Sequence, residues 1–380
     1  MRHRLAKNFS AISISQGYRY DNTTIESDIP TSLTDVMRLD IVLRSFAALL
    51  SDAEAEVRAS AVENVARMAR IGGSQLFRKH VVPVLPALAE DVVVEVRARL
   101  ARTVMECCGL EEEEGCGDIS KSASVGGNIL DDATILNNMR PLLERFLRDE
   151  FAEVQLHVLT RLGSMSRLLG QMTVVVDTVV PMASSVNWRV REAVGKILPH
   201  LAAARGVSYF EEDLLTPWMG LLLDRVAEVR SACVEGTARL VATAGPDWIR
   251  EEVLPRYGSI YDESTSYLSR IAVLRSYSSL ISGKDGEKHD EGKSRESIGG
   301  SSAGRVLIDD VVDKLLRGLD DRVANVRMVA AKALADVSSE CGDGLLNTRV
   351  KPALNARVDE DEDEDCKEYA KEALLVCASV

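Results

Sequence analysis

One phrase recurs eight times along the chain and limits what it can fold into. It is an acidic residue, four variable residues, Val-Arg or its equivalent, and then a helical apolar pattern. The copies are 52-DAEAEVRASAVENV, 91-DVVVEVRARLARTV, 149-DEFAEVQLHVLTRL, 185-SVNWRVREAVGKIL, 224-DRVAEVRSACVEGT, 262-DESTSYLSRIAVLR, 321-DRVANVRMVAAKAL and 361-DEDEDCKEYAKEAL. Their starts are separated by 39, 58, 36, 39, 38, 59 and 40 residues. A period in this range signals stacked supersecondary units, so a domain count from length does not apply. Each copy sits between two helical stretches. A first helix such as 81-VVPVLPALAED or 214-LLTPWMGLLLD precedes the acid, and a second such as 55-AEVRASAVENVARMAR follows it. In that second stretch apolar residues at 57, 61, 62 and 65 share one helical face. The acid falls in the turn, where its carboxylate meets the free N–H groups and the positive dipole end of the second helix. Arg58, Arg97, Arg191, Arg230 and Arg327 follow the valines, and the repeat predicts that they pair with acids of adjacent turns as a ladder along one edge. A lone hairpin of this kind exposes its apolar faces, and stacked neighbours cover them. The predicted fold class is therefore all-α: an α-solenoid (superhelix) of about eight antiparallel helix pairs.

Two spacings exceed the others by about 20 residues, and both have a visible cause. Residues 111–128, EEEEGCGDISKSASVGGN, are acidic and then Ser/Gly-rich. Residues 283–304, GKDGEKHDEGKSRESIGGSSAG, are charged and Gly-rich. Neither buries enough apolar surface to offset the entropy of ordering, so both read as disordered insertions. The expected organisation is a disordered tail over 1–32, repeats 1–2 over 33–110, an insertion over 111–128, repeats 3–6 over 129–282, an insertion over 283–304 and repeats 7–8 over 305–380.

Composition narrows function. A net charge of −13 disfavours binding to a phosphate backbone. No apolar run approaches the ~18 residues of a membrane span. The seven cysteines form no CxxC pair and read as free thiols of a reducing compartment, partly in the core. The expected location is cytoplasmic, with the nucleus open as a second compartment. The first 20 residues lack acids and carry several Arg, Lys and Ser, a composition shared by a plain tail and an organelle transit peptide.

Taken together, the period, the paired helices and the Asp-x4-Val-Arg phrase resemble HEAT repeats. The stretches NWRVREAVGKILPHLAAARGVSYFEEDLLTPWMGLLLDRVAEVRSA, GPDWIREEVLPR, DRVANVRMVAAKAL and VKPALNARVDEDEDEDCKEYAKEALLV look very like the C-terminal half of the scaffold (A, 65 kDa regulatory) subunit family of protein phosphatase 2A. The likeness covers about residues 40–380 and corresponds to the family's eighth to fifteenth repeats. It implies a non-catalytic scaffold whose last five repeats hold a phosphatase catalytic subunit through the turns at 185–191, 224–230, 262–270, 321–327 and 361–367. Carried over by position, the contact residues are Trp188, Arg189, Val226, Tyr267, Val323, Asn325, Arg327, Asp363, Glu364 and Asp365. Departures are Val226 and Ala227 where the family offers an aromatic, and two extra residues with Ser269 for a histidine in the sixth turn. The family's N-terminal repeats, which hold regulatory B-type subunits, have no counterpart here. Either the sequence is a partial gene product, or regulatory subunits are not held in the usual way. The alternative is a HEAT-type adaptor for transport or chromatin that shares only the repeat.

Trp188 stands between Asn187 and Arg189 in a polar turn, where a large ring serves a partner better than its own core. The bland alternative is that it folds back over its hairpin. Trp218, amid Leu and Met, reads as core, and Trp248, opening a helix after Gly-Pro-Asp, as a packing staple. The acidic run 359–365 lacks the glycine and distal glutamate of a calcium loop and reads as a solvated turn facing a basic partner. No phosphate loop, nucleophile elbow or metal-ligand spacing occurs, so no enzyme, cofactor or metal is expected.

Overall fold

The computed structural model describes residues 2–7, 33–109, 129–282 and 298–379. Among them all regular structure is helical, and no strand occurs. The chain divides into two compact units, Met1–Met182 and Ala183–Val380.

The first unit contains three complete helix pairs and the first helix of a fourth. Leu33–Leu50 pairs with the helix that begins at Ala55. Gly73, at φ 64 and ψ 167, ends that second helix and turns the chain into the next pair. Val94–Cys108 is the second helix of that next pair. Arg140–Leu147 and Ala152–Leu159 frame the third turn, and Thr173–Val179 leads to the fourth.

In the second unit the second helices are Trp188–Arg205, Ala227–Ala244, Tyr267–Ser282, Ala324–Val337 and Glu364–Ala378. Their partners include Leu215–Leu222, Leu254–Glu263, Ser302–Gly318 and Lys351–Glu360. Gly206 (φ 92) and Gly245 (φ 82) turn the chain between pairs, in a backbone region open essentially to glycine alone. Several first helices are interrupted by a five-residue π segment just before a proline. Phe210–Leu214 precedes Pro217, Ile249–Val253 precedes Pro255 and Leu346–Val350 precedes Pro352. A proline has no N–H for the helical ladder and its ring crowds the preceding turn, so the backbone widens there.

The core is aliphatic, built by Leu, Val and Ala from the facing sides of each pair. The largest buried ring is Trp218, as its apolar surroundings predict. It stacks edge-on against Phe210 at 6.2 Å, and its Nε1–H donates to the Tyr257 hydroxyl at 3.4 Å. Phe210 also meets Trp248 edge-on at 6.0 Å, so Trp248 packs at the helix start. Six cysteines are buried free thiols, and burial pushes Cys107 and Cys341 up to about 12. Cys116 lies outside the described residues.

Two boundary expectations change. The tail over 1–32 contains a helix at residues 2–7 that packs on the first pair. Arg2 holds Asp52 at 2.9 Å, the Asn64 side chain donates to the Ala6 carbonyl at 3.0 Å, and Ala6 is buried. Arg2 thus supplies to the first turn the kind of cation that Asp91, Asp149, Asp224, Asp321 and Asp361 receive from the preceding pair. The second insertion was expected to reach 304, but its last seven residues are ordered. Ile298–Gly300 is a 3-10 turn, and the Ser301 hydroxyl caps Ser302–Gly318 by accepting from the Gly304 N–H at 2.9 Å. Residues 283–297 and the first insertion lie outside the described residues.

Candidate protein-docking ridge

Six of the eight turns are built around the recurring acid. Its Oδ1 accepts the backbone N–H two residues on: Glu54 to Asp52 at 2.9 Å, Val226 to Asp224 at 2.8 Å, Val323 to Asp321 at 2.9 Å and Asp363 to Asp361 at 3.0 Å. The acid therefore fixes the turn ahead of the helix instead of capping the helix itself. Side-chain caps come from other residues: Asn187 accepts from the Arg189 N–H, and Asp363 from the Cys366 N–H.

The predicted ladder exists, with one change of membership. Arg58 grips Asp91 through Nε at 2.6 Å and Nη2 at 2.9 Å. Arg97 holds Asp149, Arg191 holds Asp224 and Arg327 holds Asp361 in the same two-bond form. In each rung the arginine's Nη1 donates to the carbonyl of its own turn, as Arg191 does to Ser185 at 2.8 Å. Arg230 departs from this. It donates to the Asp224 carbonyl at 2.7 Å but reaches no carboxylate among the described residues. Arg270, outside the sequence prediction, forms a rung with Asp321.

The reason lies in register. Asp262 belongs to the helix Leu254–Glu263 and pairs with Arg317 at 2.5 Å. Ser264 occupies the acid's place, its Oγ accepting the Ser266 N–H at 3.2 Å. The two extra residues of the sixth repeat therefore lengthen its first helix, not its turn.

The rungs remove some residues from the surface. Arg327 is committed to Asp361, with most of its side chain buried in that pair. Asp361, inside the acidic run, is buried in that rung. Burial alone would push the Asp361 carboxyl up; the bonds from Arg327 and the Asp363 N–H hold it below its ordinary value. Only part of the run 359–365 is thus a solvated face.

Among polar and charged neighbours, the second unit presents apolar and aromatic side chains at its turns. Val186 is 93% exposed and Tyr267 40% exposed. Trp188, Val226 and Val323 are half-buried. Trp188 occupies the first helical position, and the Arg189 guanidinium lies 4.7 Å above its ring. The ring is neither core nor free: its own neighbour covers one face. Asn325, Glu364 and Asp365 are exposed, Asp363 half-exposed, and Glu364 pairs with Lys367 at 2.8 Å. Val186, which sequence reasoning passed over, is the most exposed apolar residue of these turns. Its place directly after Ser185 was the available signal. In the first unit, Val92 (93% exposed), Val93 and Phe151 stand at equivalent turn positions.

A cleft of about 560 Å³ in the first unit is lined by Glu90, Arg97, Glu144, Arg145, Arg148 and Asp149, with Arg145 holding Glu90 at 2.8 Å. Among the described residues no three His, Cys, Asp or Glu cluster as metal ligands, and no helix is long and apolar enough to cross a membrane.

No family model matches the chain. No curated protein matches it either. Solved structures do. Kap121p bound to Nup53p superposes with a TM-score of 0.60 at 13% identity, over 93% of this chain and 34% of that one. Kap95p, in a structure of its binding to RanGDP, gives 0.53 at 13% identity, over 90% of this chain and 43% of that one. The fold is that of a helical-repeat solenoid. A designed armadillo-repeat protein also matches, at 17% identity and a TM-score of 0.34 over 62% of this chain. The chain spans less than half the length of the two karyopherins.

Proposed function

We propose that this protein is a non-catalytic adaptor of the HEAT/armadillo type that docks a protein partner along the turn ridge of its second unit. The supporting observation is the row of solvent-facing apolar and aromatic side chains at successive turns: Val186, Trp188, Val226, Tyr267 and Val323. None of them belongs to the buried core of its helix pair. Contiguous apolar surface rimmed by polar groups marks an interaction site. Trp188 with Arg189 stacked on it pairs the two residue types most enriched at binding hot spots. The two superposing karyopherins carry their own protein partners, Nup53p and RanGDP, which is compatible with such a role for this fold.

A narrower reading rests on the sequence likeness to the phosphatase 2A scaffold family. In that reading the partner is the catalytic subunit of a protein phosphatase 2A-like enzyme. Trp188 and Arg189 anchor it, and Tyr267, Val226, Val323, Asn325, Asp363, Glu364 and Asp365 extend the contact. Arg327 is left out, being held by Asp361. The test is capture of purified catalytic subunit by the full chain. Binding supports the narrower reading. Failure to bind removes that partner and leaves the general adaptor.

A further inference from the structure

The ladder of the second unit has one rung with a cation and no anion. Three of its neighbours are complete: Arg191 with Asp224, Arg270 with Asp321 and Arg327 with Asp361. Arg230 stands at the same position and makes the same bond from Nη1 to its own turn, at 2.7 Å. Where the next turn should offer a carboxylate, it offers Ser264. That hydroxyl reproduces half of the aspartate's work, accepting the N–H two residues on at 3.2 Å. It has no second, anionic oxygen for the guanidinium. Ser264 is half-exposed in a turn whose neighbours Thr265 and Ser266 are exposed, so its hydroxyl can be reached from solvent.

We propose that Ser264 is a phosphorylation site whose phosphoryl group completes this rung by pairing with Arg230. The reaction is transfer from a nucleoside triphosphate by a serine/threonine kinase. The Ser264 Oγ–P bond forms as the bond from the γ-phosphorus to its bridging oxygen breaks. The nucleoside diphosphate leaves, and the hydroxyl proton passes to the kinase's base. The product carries about two negative charges and three strong acceptor oxygens. The rung geometry offers Nε and Nη2 of Arg230 as the fork that a phosphate accepts bidentately. Ser185 supplies a comparison. It too replaces the acid and accepts the Asn187 N–H, at 3.3 Å, but the arginine position of the preceding repeat holds Gln155. A phosphate there has no matching guanidinium from the repeat pattern. Ser264 is thus the serine of this pattern with a cation in register.

The test uses the full chain. Incubated with ATP and a serine/threonine kinase that accepts acidic sequences, it should gain phosphate on Ser264 of the tryptic peptide 257–270, which carries Asp262 and Glu263 just before the acceptor. No phosphate at Ser264 overturns the acceptor assignment. Separately, phosphoserine encoded at 264 is titrated by phosphorus NMR. Its second ionisation, ordinarily near pH 6, should fall about one pH unit below that of the free phosphopeptide. It should return to the peptide value in Arg230→Gln. Phosphoserine encoded at 185 should titrate like its own peptide. Equal midpoints in wild type and Arg230→Gln overturn the rung, whatever the kinase result. Ser264→Asp provides a second measure: it should raise the melting temperature, and Arg230→Gln should abolish that gain. An unchanged melting temperature also counts against the rung.

Discussion

Arg270 and Asp321 close on each other through two bonds, Nε to Oδ2 at 2.8 Å and Nη2 to Oδ1 at 3.1 Å, with both side chains almost wholly buried. The Tyr261 hydroxyl donates to the same Oδ2 at 2.8 Å, and the Val323 N–H to Oδ1 at 2.9 Å. One carboxylate thus ties together two successive repeats and fixes its own turn. Removing it leaves a buried guanidinium uncompensated. Asp321→Ala should lower stability by about 3–5 kcal/mol. Denaturant unfolding checks this, with Arg189→Ala as a surface control expected within about 0.5 kcal/mol of wild type.

The rungs also set a direction for pH dependence. Burial alone would push Asp91, Asp149, Asp224 and Asp321 up; the arginine bonds and backbone N–H groups hold all four below their ordinary range. A carboxyl whose folded value is lowered contributes stability above its unfolded value, near 3.9. That contribution disappears as pH falls through the folded value. Thermal melts should therefore change little between pH 7 and 5 on account of the rungs, and fall steeply below about pH 4. In Asp321→Asn the acid-side fall should be shallower.

The two tryptophans should separate stability from binding. Trp218→Ala empties a packed site beside Phe210 and removes the indole N–H that donates to the Tyr257 hydroxyl. It should cost about 3–5 kcal/mol. Trp188→Ala should leave helix content unchanged and melting little altered, because the ring stands at the first position of its helix, outside the core. It should weaken partner capture by roughly 30- to 1000-fold, the range of a truncated hot spot. Circular dichroism beside a binding titration reads both effects.

Gly245 is a backbone requirement, not a packing one. A Cβ added there meets nothing within 4 Å, yet φ is 82 and ψ 162. Gly245→Ala should therefore destabilise by about 1–3 kcal/mol through strain alone. Chemical denaturation measures it; an unchanged midpoint would mean the corner relaxes freely.

The repeat was legible because its signals are redundant. Helical apolar spacing, an acid and an arginine each mark the same turn; four of the eight turns carry all of them and the rest keep at least two. The sixth turn misled because Asp262 and Glu263 stand just before the true position, where serine gives no charge to align on. The arginines were the better guide there, since Arg270 falls in register with Ser264. The helix at 2–7 was not legible: six residues are too few for an apolar period, and its order depends on Asp52, Ser60 and Asn64. The interruption of the first helices before Pro217, Pro255 and Pro352 follows from proline chemistry, but whether a proline kinks, bulges or ends a helix depends on packing. On the ridge, the sequence pointed to Trp188 and Tyr267. It could not show that Arg327 and Asp361 consume each other, because that needs the neighbouring turn in space.

Docking along the turn ridge is most directly tested by where a partner touches the chain. A photo-crosslinking amino acid is placed singly at turn positions 186, 226, 267 and 325. It is also placed at 211 and 247, exposed sites beyond the opposite ends of the second helices, about 27 Å along an 18-residue helix. In cells expressing the full chain, the turn positions should yield discrete protein adducts that share a partner, and 211 and 247 should yield none. Adducts at 211 and 247 with none from the turns would contradict a docking ridge.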